Sequence, residues 1–160
     1  MANSKNTQIL LISAKQVFPT ATYSTGTATT TAADPRVVVL GGGGVTTSMQ
    51  PGGWIYNAAQ TEVHQIELII SSTQLLLREA FGAVLAGVAY TYSPPSRYRE
   101  VSWLVNSTGN AAIDGVTVAA NDYGSWGKAS GGIKSTSGSD FIDAIIFDGS
   151  VTPIKVTSLR

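Results

Sequence analysis

Apolar and polar residues alternate with a period of two in several short segments of the chain. In the segment TEVHQIELII, the aliphatic residues Ile66, Leu68 and Ile70 share one parity. The polar residues Gln65 and Glu67 share the other parity. A period of two is typical of a β-strand that buries one face. We therefore predict a strand here, with the aliphatic side chains facing a core.

Other short apolar segments, separated by turn residues, are further strand candidates. They are TQILLISAKQVF (7–18), RVVVL (36–40), WIYN (54–57), VAYTYS (88–93), YREVSWLVN (98–106), GVTVAAN (115–121), FIDAIIF (141–147) and PIKVTSL (153–159). The prolines of PPSR (94–97) predict a hairpin-like pair of the strands on either side, and Asp148–Gly149 predicts a tight turn. About seven to nine short strands predict a mainly β fold, a β-sandwich or barrel-like single domain over residues 1–160 with one core.

One segment has a helical period instead. In SSTQLLLREAFGAVLAGV, residues 71–88, the larger apolar side chains fall at i, i+4, i+7, i+8 and i+11, which is one stripe of a helix. The stripe consists of Leu77, Phe81, Val84, Leu85 and Val88. Ser71, Ser72 or Thr73 would be the N-cap, and two glycines inside the segment each weaken a helix by about 1 kcal/mol. We predict one short helix here.

A long threonine- and alanine-rich segment, PTATYSTGTATTTAADP, covers residues 19–35. Threonine favours extended backbone, and the segment has almost no large apolar side chain with which to form a core. A connection of this length is uncommon in a compact domain and is usually functional or disordered. We predict an extended arm or long loop, and Thr25 and Thr29 are candidate contacts with a neighbouring subunit.

The glycine run of VVVLGGGGVTTSMQPGGW does not match a phosphate-binding loop. Such a loop needs a lysine followed by a helix, whereas Gly44 is followed by VTTSMQPGGW, with no lysine and with Pro51 in the way. Glycine permits a positive φ and close backbone approach. We predict a flexible loop or a contact with another subunit, with Gly42 and Gly43 as candidate interface residues.

The charge composition favours a subunit that is enclosed by neighbours. The net charge is zero and charged residues make up 12% of the chain, against roughly 25% in ordinary globular domains. A neutral surface promotes association, and a nucleic-acid or membrane-surface partner would require a basic patch. The longest apolar stretch, residues 80–90, is shorter than the about 20 residues of a membrane-spanning helix. We expect a protein made soluble in the cytoplasm.

Residues for catalysis or metal binding are sparse. The chain has one histidine, His64, and no cysteine, so thiolate and histidine-rich metal sites are not possible. His64 is interpreted as a half-buried histidine near a strand end. Asp140, Asp143 and Asp148 lack the spacing of a calcium loop, and Asp148 is assigned to a turn. The sequence therefore predicts neither an enzyme nor a bound metal or cofactor.

Aromatic residues leave two interpretations open. Trp126 lies in DYGSWGKASGG, a segment too rich in glycine to pack by itself, and Trp54 follows the glycine-rich segment. Tryptophan and tyrosine are enriched at protein interfaces, so Trp54 and Trp126 are candidate anchors in a partner. Aromatic clusters also stack on sugars, which keeps a carbohydrate-binding or receptor-binding module as an alternative.

In composition and layout the chain resembles structural proteins of tailed-bacteriophage virions. The features that carry this resemblance are the Thr/Ala segment at 20–33, the Gly/Ser segments at 41–53 and 124–139, the low charge and the lack of cysteine. It implies a β-sandwich or β-barrel core with extended arms that join neighbouring subunits.

The resemblance further implies a non-enzymatic subunit located in the virion that contacts copies of itself and other virion proteins. A capsid decoration (cement) protein is the first expectation, and a tail-tube or neck subunit or a carbohydrate-binding fibre module are the alternatives. Deletion of residues 20–33 is expected to leave a folded domain but to weaken assembly.

Overall fold

The computed structural model describes residues 7–18, 23–57, 62–96, 98–127 and 142–159. These residues form strands and connecting loops, with no helix among them. The chain divides into two compact units, of which one comprises Met1–Phe18 with Ser96–Arg160 and the other comprises Pro19–Pro95. We call them the sandwich unit and the barrel unit. The prediction of a mainly β fold with a barrel is confirmed.

The strands are numbered in chain order and assigned to the two units. In the sandwich unit they are β1 (Thr7–Ile12), β2 (Lys15–Phe18), β9 (Glu100–Val105), β10 (Ala111–Ile113), β11 (Val116–Val118), β12 (Tyr123–Gly127), β13 (Ile145–Asp148) and β14 (Ile154–Leu159). In the barrel unit they are β3 (Thr27–Thr30), β4 (Val37–Gly41), β5 (Trp54–Asn57), β6 (Val63–Ser71), β7 (Gln74–Leu77) and β8 (Val88–Ser93).

The sandwich unit contains two four-stranded antiparallel sheets. Their strand orders are β1-β14-β9-β12 and β11-β10-β13-β2. Side chains from both sheets share one buried apolar cluster, which includes Ile12, Val105 and Val156 from the first sheet and Ile113 and Phe147 from the second. Because strand side chains alternate between faces, the opposite face of the first sheet points away from this core.

The barrel unit is a closed antiparallel barrel with the strand order β3-β4-β7-β6-β5-β8. Its interior is filled by apolar side chains from alternate strand positions, among them Val38, Leu40, Leu75 and Leu77. The apolar cores of the two units are separate clusters. The expectation of one core is therefore wrong, since each unit buries its own set of alternating side chains.

The predicted helix over residues 71–88 is wrong. Ser71 ends β6, residues 74–77 form β7, and a loop leads to β8 at Val88. The backbone N–H of Thr30 donates to the Leu85 carbonyl at 3.0 Å, so this loop bonds to the barrel and not to a helical turn. Gly87 has a φ of +65°, a left-handed value that interrupts a right-handed helix. Of the five residues of the stripe, Leu77, Phe81 and Leu85 lie in the barrel core, whereas Val84 and Val88 are 80% and 38% exposed.

Two further predictions, one strand over residues 7–18 and a hairpin around residues 94–97, also differ from the structure. Segment 7–18 contains two strands, β1 and β2, which belong to different sheets. The predicted hairpin around the PPSR residues is wrong, because β8 pairs with β3 and β5 while β9 pairs with β12 and β14. Chain neighbours therefore do not pair where the chain passes from one unit to the other.

The Thr/Ala segment does not form a free arm over the residues that the structure describes. Its residues 27–30 are barrel strand β3, which pairs with β4 and β8, and Ala28 is fully buried. Tyr23 forms an isolated bridge to Tyr92 of the same barrel. Residues 19–22 lie outside the described part. Deletion of residues 20–33 would remove strand β3 from the closed barrel, so we now expect it to destabilise the barrel unit.

Strand β6 departs from a simple period of two. Ile66 is buried at 1% exposure, as predicted, but Leu68 and Ile70 are 52% and 46% exposed. The pairing register with β7 shifts between Ile66 and Leu68 and again between Ile69 and Ser71. Each extra residue of a β-bulge reverses the faces that follow it. The bulges therefore turn Leu68 and Ile70 outward and allow Ile69 to pack against the core.

Candidate functional site: an uncovered sheet face

The glycine run forms a turn at the end of β4, and its surroundings are bonded to the barrel. Gly42 and Gly43 have φ values of +59° and +88°, and both are exposed. A side chain at Gly26 would meet the backbone of Gly41 and Gly44. The glycines therefore provide positive φ and close backbone approach, as predicted, and the approach seen here is within the chain.

Hydrogen bonds fix the loop that follows the glycine turn, which corrects its prediction as flexible. The N–H of Val45 donates to the Tyr23 hydroxyl at 3.1 Å. The N–H of Gln50 donates to the Tyr92 hydroxyl, also at 3.1 Å. The N–H of Thr46 donates to the Ser72 carbonyl at 2.8 Å. The described loop thus belongs to the barrel wall.

The residues predicted as interface contacts are distributed over both units. Thr25 is exposed next to the glycine turn, where its carbonyl oxygen would lie 3.1 Å from a Cβ at Gly44. Thr29 is exposed, and its Oγ1 accepts a hydrogen bond from the Gly87 N–H at 3.0 Å. The roles of Thr25, Thr29, Gly42 and Gly43 in contacts with a partner remain predictions.

The two tryptophans predicted as anchors are both less available than expected. Trp54 is only 6% exposed, so it offers little surface to a partner. Trp126 lies on strand β12 and not in a loop, and its ring packs on Trp103 with 6.1 Å between the centroids. It is half-buried against the sandwich core. Pairing with β9 supplies the packing that the glycine-rich sequence did not predict.

His64 is half-buried near the start of β6, as predicted. Its Nε2 lies 3.2 Å from Oε2 of Glu62, and its ring meets Phe81 edge-on with 4.5 Å between centroids. The same Glu62 oxygen accepts the Gly82 N–H at 2.8 Å. The Gly82 hydrogen bond and, secondarily, His64 hold the pKa of Glu62 below its ordinary value. This cluster ties the β7–β8 loop to the barrel, so a structural role accounts for His64.

The described part of the chain contains no group of side chains that could hold a metal ion. Asp148 serves the turn predicted for it, because its Oδ1 accepts the Ser150 N–H at 3.2 Å. Asp143 is buried at 7% exposure, and Asp140 lies outside the described residues. No helix among the described residues is long and apolar enough to cross a membrane.

The most unusual surface is the outer face of the β1-β14-β9-β12 sheet. We call it the open sheet face. Its large apolar side chains are 45–77% exposed and are Ile9 (64%), Leu11 (65%), Leu104 (45%) and Tyr123 (77%). Single exposed apolar residues are common, whereas a contiguous group marks an interaction surface.

The strand register places these side chains side by side. Leu11 is opposite Lys155, Lys155 is opposite Leu104, and Leu104 is opposite Tyr123, so one row crosses all four strands. The next row contains Ile9 on β1, Thr157 on β14, Ser102 on β9 and Ser125 on β12. The first row is therefore mainly apolar and the second mainly polar.

Lys155 is the one charged side chain in the row that crosses the open sheet face. It is exposed, and none of the ion pairs found within the described residues involves it. A lysine between two leucines can contact an apolar partner through its methylene stem and pair its ammonium with a carboxylate. Glu100 lies at an outward position of β9 on the same face, so the face carries one charge of each sign.

A shallow recess of ≈ 310 Å³ adjoins this row in the sandwich unit. Its lining combines side chains of the open sheet face with loop residues, namely Leu11, Leu104, Val105, Asn106, Ser107, Asn121, Pro153 and Lys155. Such a recess can accept a protruding side chain or loop of a partner, with amide groups at its rim for hydrogen bonds.

Sequence reasoning missed the open sheet face, although the sequence contained a signal for it. In TQILLI of β1, Leu10 and Ile12 occupy one parity and Ile9 and Leu11 occupy the other. A strand that is apolar on both faces is typical of burial on both faces. Within the described residues only the inner face is covered, so the outer face is a candidate for a further contact.

No family model matches this chain, and no curated protein matches it.

Proposed function

We propose that the protein is a non-enzymatic structural subunit of a large assembly. The observation that carries the proposal is the open sheet face, where Ile9, Leu11, Leu104 and Tyr123 are exposed on three of the four strands of one sheet. Covering such a face removes apolar area from water at roughly 25 cal/mol per Å². The low charged fraction, 12%, supports the same conclusion because it leaves few charges to keep copies apart.

The assembly that fits the composition and layout of the sequence is a tailed-bacteriophage virion. Within it the first candidate role is a capsid decoration protein, which lies on a shell of other subunits. A sheet face with exposed apolar side chains and few charges suits attachment to such a shell, and many copies strengthen weak contacts through multivalency. A tail-tube or neck subunit is the alternative position in the same particle.

Sedimentation velocity over a range of protein concentrations tests the proposal. We expect concentration-dependent association of the wild-type chain and at least tenfold weaker association of the Leu11→Glu/Leu104→Glu variant. Both new carboxylates flank Lys155 across the strands, where opposite charges pair favourably, so the fold should be retained. Val151→Glu is the matched control, because Val151 is 82% exposed and lies outside the face.

Two results would contradict this function. The first is a wild-type protein that sediments as single chains at every concentration. The second is an association that the control variant weakens as much as the face variant does. Thermal melting of each variant separates loss of association from loss of folding.

A carbohydrate-binding module is the second candidate, and one observation favours it. Tyr123 is 77% exposed and stands beside Leu104, which lines the recess together with Asn106 and Asn121. An exposed aromatic ring next to amide side chains can stack on a sugar and hydrogen-bond to its hydroxyls. Glycan-array binding that is lost in Tyr123→Ala would favour this role over the structural one.

A further inference from the structure

The outer strand β1 of the sandwich unit has one side without a neighbouring strand. Among the described strands its hydrogen-bonded neighbour is β14, and the two pair regularly from Thr7 opposite Leu159 to Ile12 opposite Ile154. On the other side of β1, the described part of the chain places no strand. The backbone N–H and C=O groups along such an edge can pair with a further extended strand.

The edge of β1 also lacks the features that normally prevent strand addition. Charged side chains, proline and bulges protect edge strands, and the sequence TQILLI and its regular pairing include none of them. The charged residues in the strands of this sheet are Lys155 on β14 and Glu100 on β9, which lie one and two strands away from the edge. Lys15, on β2 of the other sheet, is already paired with Asp148 at 3.7 Å.

Among the free edges of the strands that the structure describes, the best match for β1 is another β1. It is the longest of these edge strands, with six residues, whereas β12 has five, β2 has four and β11 has three. Strand β12 contains two glycines, which weaken a strand, and β2 begins with a lysine. The chain therefore offers its most suitable partner strand in a second copy of itself.

We propose that β1 of one copy pairs antiparallel with β1 of a second copy, with Ile9 of each copy opposite Leu11 of the other. This inference rests on the proposed function, and it names the partner and the strand through which two copies join. The contact is isologous, so a single two-fold axis gives both free edges a partner. The two four-stranded sheets then continue into each other as one sheet.

The side-chain pattern of β1 selects this register. Residues opposite each other point to the same face of a sheet, so a shift by one residue would place an outward side chain of one copy opposite an inward one of the other. In the proposed register Leu10 meets its own copy on the inner face, where it packs against the core. A shift by two residues would instead place Leu11 opposite Thr7, or Ile9 opposite Ser13, and lose an aliphatic pair.

Joining through β1 also extends the open sheet face. Ile9 and Leu11 are 64% and 65% exposed in the single chain. In the pair, these residues of one copy stand beside those of the other across the junction. The pair of copies thus presents a wider apolar surface than one copy does, and this surface remains open to a further partner.

Two double variants that differ in the sign of one charge test the pairing. Ile9→Glu/Leu11→Glu places carboxylates opposite each other, whereas Ile9→Lys/Leu11→Glu places a lysine opposite a carboxylate. Both remove the same two aliphatic side chains, so a contact that only covered the open sheet face would be weakened equally. Opposite charges across strands stabilise a pair and like charges destabilise it. In sedimentation velocity we expect the Ile9→Lys/Leu11→Glu variant to form dimers about tenfold more tightly, or better, than the other.

The controls separate this pairing from effects of net charge and folding. Val116→Glu/Val151→Glu adds the same two negative charges at positions that are 66% and 82% exposed and lie outside β1, so it should associate like the wild type. Within one chain Ile9 is opposite the uncharged Thr157, so the sign of a charge at position 9 should matter little to the single chain. Thermal melting of each variant checks this.

The possible results distinguish this inference from the proposed function. Equal association of the two double variants, whether weak or strong, overturns the inference. If both are weak while the wild type associates, the open sheet face carries the association and the structural role stands. Wild-type protein that sediments as single chains at every concentration contradicts both proposals.

Introduced cysteines read the register directly, because the chain has no cysteine of its own. Opposite residues of antiparallel strands have Cα atoms about 4.5–5.5 Å apart, within reach of a disulfide, whereas diagonal neighbours are about 7–8 Å apart. With diamide as the oxidant, a mixture of Ile9→Cys and Leu11→Cys should form disulfide-linked dimers on a non-reducing gel, and neither variant alone should. Linking of either variant with itself, or no linking in the mixture, overturns the proposed pairing.

Discussion

The barrel unit and the sandwich unit are built from the same kind of antiparallel strand but leave different surfaces open. In the barrel every strand has a hydrogen-bonded neighbour on both sides, whereas in the sandwich the outer strands β1, β12, β11 and β2 each have one. Free edges present unpaired N–H and C=O groups that can pair with another chain. Among the strands that the structure describes, only those of the sandwich unit can make a contact through a free edge.

Strand β1 combines both kinds of open surface. It is an edge strand, and its sequence TQILLI has no charged residue and no proline. Natural edge strands are usually protected by such residues or by a bulge, and the pairing of β1 with β14 is regular along its whole length. Ile9 and Leu11 of the open sheet face lie on this same strand, which makes β1 a candidate for the contact proposed above.

The backbone of the barrel approaches itself very closely at Gly26, next to Gly41 and Gly44. The variant Gly26→Ala tests how much the stability of the barrel depends on this approach. Gly26 has a φ of +90°, and a Cβ there would meet the carbonyl oxygen of Gly41 and the N of Gly44. Left-handed backbone and overpacking together should lower the free energy of unfolding by roughly 3–5 kcal/mol. Urea denaturation followed by tyrosine and tryptophan fluorescence measures this change.

Gly43→Ala is the matched control for that variant. Gly43 has a similar φ, +88°, but nothing lies within 4 Å of a Cβ built there. We expect it to cost about 1 kcal/mol through backbone strain alone. Equal losses for the two variants would show that close packing at Gly26 does not matter for the barrel.

In the sandwich unit the corresponding close approach is between Gly124 of β12 and the ring of Trp103. A Cβ at Gly124 would lie 2.5 Å from Cζ2 of Trp103. Because β12 is an edge strand and the obstacle is a half-buried side chain, the unit can adjust, and Gly124→Ala should cost about 1–3 kcal/mol. The same denaturation experiment measures it, and near-ultraviolet circular dichroism reports the movement of Trp103. A loss larger than that of Gly26→Ala would reverse the comparison between the two units.

The smallest expected effect concerns the Glu62 cluster of the barrel. The pKa of Glu62 is lowered in the folded protein, mainly by the Gly82 N–H and then by His64. The stability that the ionised Glu62 carboxylate contributes to the fold is therefore fully present above the ordinary glutamate pKa. It is lost as the pH falls through the lowered pKa. The side chain is 36% exposed, so solvent screening limits the contribution to at most about 1 kcal/mol.

Glu62→Gln should therefore lower the melting temperature near neutral pH and flatten its decline below pH 4.5, the ordinary value for this group. Glu79→Gln is the control, because Glu79 is an exposed glutamate of the same unit. Parallel pH profiles for wild type and Glu62→Gln would show that the carboxylate does not hold the β7–β8 loop.

Strand positions could be predicted wherever side-chain alternation or a compact apolar run was clear. WIYN, VAYTYS and PIKVTSL correspond to β5, β8 and β14, because β-branched and aromatic residues suit an extended, half-buried backbone. The helix prediction failed at residues 71–88, where apolar residues of a strand and of a loop coincide with a helical spacing. Burial was indicated correctly for Leu77, Phe81 and Leu85 but not for Val84 and Val88. The backbone here is set by pairing with β3, β4 and β6.

The exposed apolar side chains of the two units could be predicted less well. Exposure of Leu68 depends on bulges in β6, and exposure of Leu11 depends on the position of β1 at a sheet edge. Neither follows from local sequence, because a bulge and an edge are properties of strand pairing. The apolar residues on both parities of TQILLI were the one local indication.

The sequence by itself determined that this protein is mainly β and low in charge, with no cysteine and a single histidine. Those properties depend on side-chain type and local spacing, and both can be read directly from the sequence. Only the tertiary structure decided that the strands divide into a closed barrel and an open sandwich, and which apolar side chains remain outside. The physical reason is that sheet order and register come from hydrogen bonds between segments that are far apart in sequence. Strands β1 and β14, for example, pair although more than a hundred residues separate them.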